Sequence, residues 1–404
     1  MKATDTAISL PSASWSNVSI MSLSHFTSDF FCNVLPIMLP ILAARYGISY
    51  SQSAALFMVF SVSTNFLQPP IGIWADKRPV NYLMPLSILT GAFFASIVGW
   101  SPNIYVLIFI ILLSGICSSA FHPISAGIVH DISPKRHQTF ATSIYIAGGN
   151  LGFAIAPLII AAFIEQFTDK NLPFLFLFAL IVTLMIYKQR LFVTPPRNES
   201  SSEPQINLKS IIKSKQFIFL NTSIALRSWC YCALVVFLPL LLTAHGYSTV
   251  ESGLALMCLL VGTVFGGLAT GGLSDKYGLR TLIVSTYVLT IASLGFFLWR
   301  LDISFISMVA LFLAGAGMYG STPAAIVWAQ RLLPRNAAFA ASMMLGFTFG
   351  MGYVESVITG FVGDLFGLRV GLIATIFPAL VLAIIIILAL KEPPKATDVN
   401  LKNI

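Results

Sequence analysis

Charge is what this chain has least of: Asp, Glu, Lys and Arg make up 9% of its 404 residues, against roughly 25% in an ordinary soluble domain. That shortage excludes a soluble enzyme. A disordered chain is excluded for the opposite reason, because such chains stay solvated through low hydrophobicity and high charge. Cysteine chemistry is missing as well. Cys32, Cys117, Cys230, Cys232 and Cys258 all lie in apolar stretches, read as small packing residues, and form neither a CxxC redox motif nor a zinc set. Residues 1 to 16 are polar and Ser-rich, so no cleavable signal peptide is expected. No HExxH, GxSxG or paired acidic motif is present either, and neither enzymatic activity nor a cofactor is expected.

Apolar side chains fill the space that charge leaves: 57% of residues are hydrophobic and the mean hydropathy is +0.86. Apolar runs bounded by charge, Pro or Gly fall at about 17–44, 51–75, 80–99, 103–129, 137–164, 172–190, 217–244, 250–272, 279–299, 304–328, 337–362 and 368–390. A helix needs about 20 apolar residues to cross a bilayer, so these runs predict an all-α membrane protein of twelve transmembrane helices. The long polar stretch Lys188 to Gln216 separates the sixth run from the seventh. It predicts two six-helix halves, 1–190 and 217–404, joined by a linker at 191–216.

The net charge of +8 would suggest nucleic acid as a partner in a soluble protein. Here it reports orientation instead. With the N-terminus in the cytoplasm, eighteen Lys and Arg fall in inside segments, four (Arg45, Lys170, Arg300 and Arg369) fall outside, and Arg227 lies within a run. Basic residues collect on the cytoplasmic side, so both termini and the linker are expected there.

The two halves repeat. At a shift of 199, Pro40 matches Pro239, Gly47 matches Gly246, Ser49 matches Ser248, Gly72 matches Gly271, and Asp76-Lys77 matches Asp275-Lys276. Further on the shift is 200, pairing Pro123 with Pro323, Ala141 with Ala341 and Gly152 with Gly352. A shift held from the first run to the fifth points to duplication and to two parallel, pseudo-symmetric halves.

Two loops carry one motif at this spacing: Gly72-Ile73-Trp74-Ala75-Asp76-Lys77-Arg78-Pro79 and Gly271-Gly272-Leu273-Ser274-Asp275-Lys276-Tyr277-Gly278. Both resemble the GxxxD(R/K)xG signature of the major facilitator superfamily, the first with Pro79 where the pattern has Gly. Gly72, Asp76, Lys77, Gly271, Asp275 and Lys276 are accordingly the candidate conformational gating residues. The chain also resembles the fosmidomycin-resistance branch of that superfamily. The resemblance rests on Leu23-Ser24-His25 with Asp29, Gln68-Pro69, Phe121-His122-Pro123, Gly148-Gly149-Asn150 with Gly152, Arg227-Ser228, and Gly346 to Gly352 followed by Gly360 and Asp364. It implies a proton-driven exporter of an antibiotic or metabolite in the inner membrane, with runs 1, 4, 7 and 10 lining a central cavity. The chain departs from the branch at Ile124 and Gly127, where better-known members carry charge, and at Glu355, where a small residue is usual.

Of fifteen carboxylates only Asp29 and Glu355 lie well inside apolar runs, where charge is costly and usually functional. His25, Asp29 and Asn33 are spaced by four and share one helix face. A carboxylate beside an imidazole can change its proton occupancy near neutral pH, so His25, Asp29 and Glu355 are the candidate proton-coupling groups. The alternative for His25 and Asp29 is a permanent structural pair. Arg227, the deepest basic residue, could bind an anionic solute, pair with Asp29, or pair with Glu355. His122 precedes Pro123, which frees a backbone carbonyl; it is either a cavity ligand or hydrogen-bonded to that carbonyl. Asn33, His122, Tyr145, Asn150, Arg227, Tyr231 and Trp328 complete the candidate solute contacts, and no resident metal is assigned. The expected partners are a small-molecule solute, protons and the lipid bilayer, and the expected state is a monomer. Uptake by proton symport uses the same scaffold and is the rival to export.

Overall fold

The structure, a computed structural model, describes residues 13–68, 70–71, 74, 80, 82–134, 138–193, 214–271, 273–333, 340–341 and 343–392. The main helices in the first part of the chain are α1 (Trp15–Cys32), α2 (Val34–Tyr46), α3 (Tyr50–Asn65), α4 (Leu83–Ser96), α5 (Ile104–Ser118), α6 (Phe121–Ile132), α7 (Gln138–Phe167) and α8 (Phe176–Lys188). They continue with α9 (Lys215–Ala244), α10 (Thr249–Gly271), α11 (Leu279–Arg300), α12 (Phe305–Leu332), α13 (Thr348–Phe366) and α14 (Leu368–Ala389). No strand occurs among the described residues.

Eleven helical stretches are long and apolar enough to cross a bilayer; α1 with α2 forms one, Trp15–Tyr46, and α5 with α6 includes another, Ile104–Val129. Helix α3, at 16 residues, stands where the second of the twelve runs was expected. Gly72, Asp76 and Lys77, further along the chain, lie outside the described residues. The expected all-helical membrane fold of twelve spans is therefore what the chain builds.

Polar side chains set where these helices begin. Ser14, Asn103, Ser214 and Ser304 each accept a hydrogen bond from a backbone N–H three residues on, satisfying donors that the first helical turn cannot use. The duplication shows in the same detail. Gly47 and Gly246 both turn the chain at positive φ, 62° and 87°, a conformation that L side chains resist. Ser49 and Gln52 then exchange reciprocal side chain–backbone hydrogen bonds ahead of α3, and Ser248 and Glu251 do the same ahead of α10. These are two copies of one capping box.

A carboxylate from a distant helix adds to each cap: Glu165 of α7 accepts the Val250 N–H at the start of α10 at 3.4 Å, and α3 has a fuller version. The Asp364 carboxylate, near the end of α13, accepts the backbone N–H groups of Tyr50 and Ser51 at 2.7 and 3.2 Å and the Ser51 hydroxyl at 2.5 Å. Gly360, one turn earlier on α13, lies so close to the Ser51 backbone that a Cβ would come within 2.7 Å of its Cα.

The chain folds into two compact units. The first comprises Met1–Leu35, Val62–Ala156 and Phe167–Ser202; the second comprises Pro36–Ser61, Pro157–Gln166 and Glu203–Ile404. In the first, α7 crosses α1 with backbone against backbone, and a Cβ on Gly152 would strike the Phe26 carbonyl. In the second, a Cβ on Gly352 of α13 would come within 2.7 Å of the Ser228 carbonyl of α9. Residues 152 and 352 are repeat partners, so one close crossing is built twice. The second unit also contains a packed core of Phe217, Leu220, Ile224, Tyr287, Trp328, Met344 and their neighbours.

Candidate functional site

In the first unit, the four-residue spacing on α1 brings His25 Nε2 within 3.3 Å of Asp29 Oδ2. His122, in the first turn of α6, places its Nε2 3.6 Å from the other carboxylate oxygen, Oδ1. Side-chain exposures are 12% for His25, 15% for Asp29 and 30% for His122, so the three form a mostly buried cluster. His25 is held from behind: its Nδ1 lies 2.9 Å from the Tyr145 carbonyl and its ring stacks on the Tyr145 ring at 4.3 Å. The Tyr145 hydroxyl in turn lies 2.5 Å from Ser125 Oγ on α6. Gly149, one turn further along α7, leaves the room in which the His25 ring sits, since a Cβ there would collide with it.

Asn33 lies against the same helix, α7, two turns beyond His25. Helix α1 ends at Cys32, Asn33 is its cap with φ −92° and ψ 4°, and its side chain donates to the Phe153 carbonyl of α7 at 2.8 Å. The amide nitrogen ties α1 to α7, while Oδ1 is buried without a hydrogen-bond partner. Asn150 lies exposed on α7.

The second unit holds the other embedded charge. Arg227, on α9, is fully buried. Its Nη2 donates to Thr322 Oγ1 of α12 at 3.0 Å, and its guanidinium carbon stands 5.5 Å from the centre of the Phe349 ring of α13. Nε and Nη1 are buried and make no well-formed hydrogen bond, although the Tyr287 hydroxyl faces the guanidinium. Within the second unit no ion pair joins Arg227 to Glu355 among the described residues. Burying such a group uncompensated is costly, and what remains of its donor capacity can be met only by an acceptor or anion.

Glu355, on α13, has its Oε2 buried without a hydrogen-bond partner. Tyr231 is buried beside Arg227's aromatic neighbour, its ring 5.4 Å from that of Phe349. Trp328 belongs to the packed core of this unit, fully buried with Nε1 unpartnered. Of the candidate gating residues, Gly72, Asp76 and Lys77 lie outside the described residues, as do the side chains at Gly271 and Asp275. Lys276 is exposed, its ammonium 5.2 Å over the Tyr277 ring.

Reasoning from sequence alone missed three neighbours: Thr322, Phe349 and the Tyr145 carbonyl. A signal for two of them existed, because Thr322 is the repeat partner of His122 and Phe349 that of Gly149 at the shift of 200.

Embedded ionisable groups on membrane-spanning helices of a duplicated bundle define a class, the solute transporters. Residues 21–354 match the Major Facilitator Superfamily. The chain belongs to that superfamily, and it is a secondary transporter, not an enzyme. It is similar to the fosmidomycin resistance protein of Escherichia coli (strain K12), 24% identical over 85% of each chain. It is also similar to the probable 4-methylmuconolactone transporter of Cupriavidus pinatubonensis (strain JMP 134 / LMG 1197), 24% identical over 84% of this chain and 79% of the relative. Among solved structures, a bacterial homologue of the human lysosomal transporter Spinster, in an inward-facing and occupied conformation, shares the fold. Its TM-score is 0.76 with 18% identity, covering 94% of this chain and 97% of that one.

Proposed function

We propose that this protein exports a small anionic drug or metabolite across the cytoplasmic membrane in exchange for protons, by alternating access. The observation that carries this reading is Arg227: a fully buried guanidinium met by neutral hydroxyls, with two nitrogens that make no well-formed hydrogen bond and no ion pair to a carboxylate of its own unit among the described residues. A bound anion would satisfy those donors, and Tyr231 and Phe349 would supply apolar walls beside it. Export is favoured by the similarity to a resistance protein. The coupling proton is assigned to an embedded carboxylate, either Asp29 with His25 or Glu355, and the excess of basic loops favours cytoplasmic termini.

The test begins with thermal stabilisation of the purified protein by phosphonates and carboxylates. A ligand read by Arg227 stabilises the wild type and loses its effect in Arg227→Ala; equal stabilisation of both removes Arg227 from the solute site. Everted vesicles then fix direction. Loading of that ligand driven by an inside-acid gradient supports proton exchange, whereas loading driven by the opposite gradient supports symport and uptake. Asp29→Asn and Glu355→Gln, each assayed for gradient-driven flux, separate the two candidate carboxylates.

A further inference from the structure

We infer that His25, Asp29 and His122 form a binding site for one divalent transition-metal ion of the Zn²⁺ or Co²⁺ type. Three lines of geometry meet there. One ligand atom from each residue lies within 4.8 Å of the other two. Ligands bound to one tetrahedral ion at ~2.0–2.1 Å stand about 3.3 Å from each other. The His25 Nε2–Asp29 Oδ2 and His122 Nε2–Asp29 Oδ1 distances are 3.3 and 3.6 Å, close to that separation.

The second line is the tautomer of His25. Its Nδ1 is 2.9 Å from the Tyr145 carbonyl, and a carbonyl oxygen can only accept, so Nδ1 carries the hydrogen. The lone pair of a neutral His25 then sits on Nε2, the atom that faces the Asp29 carboxylate. Lone pair against carboxylate is repulsive, so the contact needs a cation on Nε2: a proton, which makes His25 an imidazolium that donates to Asp29, or a metal ion that takes the proton's place. A ring nitrogen bound to a backbone carbonyl, with the other nitrogen left to a metal, is the usual outer-shell arrangement of ligating histidines.

The third line is preorganisation. The Tyr145 ring stacks against His25, Ser125 holds the Tyr145 hydroxyl, and Gly149 clears the space for the imidazole. Two imidazoles and one carboxylate select borderline transition metals over Mg²⁺ or Ca²⁺, which prefer all-oxygen shells, and over Cu⁺, which prefers sulfur. Three protein donors leave at least one coordination position open to water or to a donor atom of a solute. His122, the most exposed of the three, is the leg that an entering ion meets first. The inference is independent of the exported solute and of transport direction. It also leaves Glu355, which lies outside the cluster, as the carboxylate for the proposed proton step.

The experiment titrates the full-length protein, purified without added metal, with Co²⁺ and Zn²⁺, following calorimetric heat and the Co²⁺ absorption spectrum, with Mg²⁺ as control. The expected result is saturation at one ion per chain with no response to Mg²⁺. Affinity should fall about 10-fold or more in His122→Ala and in Asp29→Asn, and stay unchanged in His245→Ala, whose imidazole bonds its own helix at Leu241. Absence of saturable binding, or binding that these variants leave intact, overturns the site. Because a variant can fail to fold, X-ray absorption of the Zn²⁺-loaded wild type supplies a second reading. Two imidazole ligands support the assignment, and one or none overturns it.

Discussion

The two charged clusters occupy repeat-equivalent places and have opposite electrostatic characters. In the first unit, His122 reaches from α6 to Asp29 on α1, under Gly149 of α7. In the second, Thr322 reaches from α12 to Arg227 on α9, under Phe349 of α13. Residues 122 and 322, and 149 and 349, are separated by the same 200 positions. One architecture has thus been filled in two ways. The first cluster balances itself, with two imidazoles around one carboxylate. The second keeps a guanidinium against a hydroxyl and an aromatic face and supplies no counter-charge. Duplication preserved the scaffold that holds a polar group at this crossing, while substitution made one copy self-sufficient and the other dependent on what binds it.

The contrast predicts stability changes of opposite sign. Arg227→Met removes an uncompensated buried charge and keeps the apolar stem, so the purified protein should become more stable by ~1–4 kcal/mol while losing stabilisation by anionic ligands. A lower melting temperature in that variant would show that Arg227 has a partner and break the comparison. Asp29→Asn deletes the acceptor that both imidazoles share, and the protein should lose ~1.5–3 kcal/mol, read as a drop in melting temperature under metal-free conditions. If Asn at 29 is neutral, the first cluster is not the balanced one.

A smaller effect tests the shared scaffold. Gly152→Ala and Gly352→Ala each force a methyl group against a carbonyl of the facing helix, at a cost of about 1–3 kcal/mol. Thermal unfolding of the two variants should give similar losses; a loss confined to one would mean that the crossings are not equivalent under load. The smallest effect belongs to an exposed reference. Asp302 is held below the usual carboxylate range by hydrogen bonds from the Ser304 and Ser307 hydroxyls and from Arg300. A group whose pKa is lowered on folding contributes stability above its unfolded pKa and loses it as pH falls through the folded one. The small advantage of wild type over Asp302→Asn should be present at neutral pH and fade on acidification. An advantage that persists in acid would assign the effect to packing.

Much of this was legible before any coordinates. Helix spans follow from hydropathy, and His25 with Asp29 follows from a spacing of four, because both facts are local. His122 lies 93 positions beyond Asp29, and no local periodicity connects them; only the crossing of α6 with α1 does. Arg227 was legible as an embedded charge, but its lack of an ion pair to Glu355 was not, since Asp29 and Glu355 were both open to it on paper. Asn33 shows the limit from the other side. Its spacing placed it on a helix face, and the chain ends the helix there, the backbone N–H closing the last turn onto Phe30 and Phe31 and the side-chain amide donating to Phe153 of α7. A short polar side chain that can satisfy backbone groups competes with the helix it sits in, and sequence periodicity does not record which wins.

The cap on α3 has a consequence in the order of synthesis. Helix α10 takes its remote cap from Glu165, 85 positions earlier in the chain, whereas α3 receives Asp364 from 314 positions further along. Closing so long a loop costs more entropy than a local cap, and the carboxylate does not exist until α13 has been made. The start of α3 must therefore rely on Ser49 and Gln52 alone through most of biogenesis, and its last hydrogen bonds form only when α13 arrives, which makes this contact a marker of completed assembly.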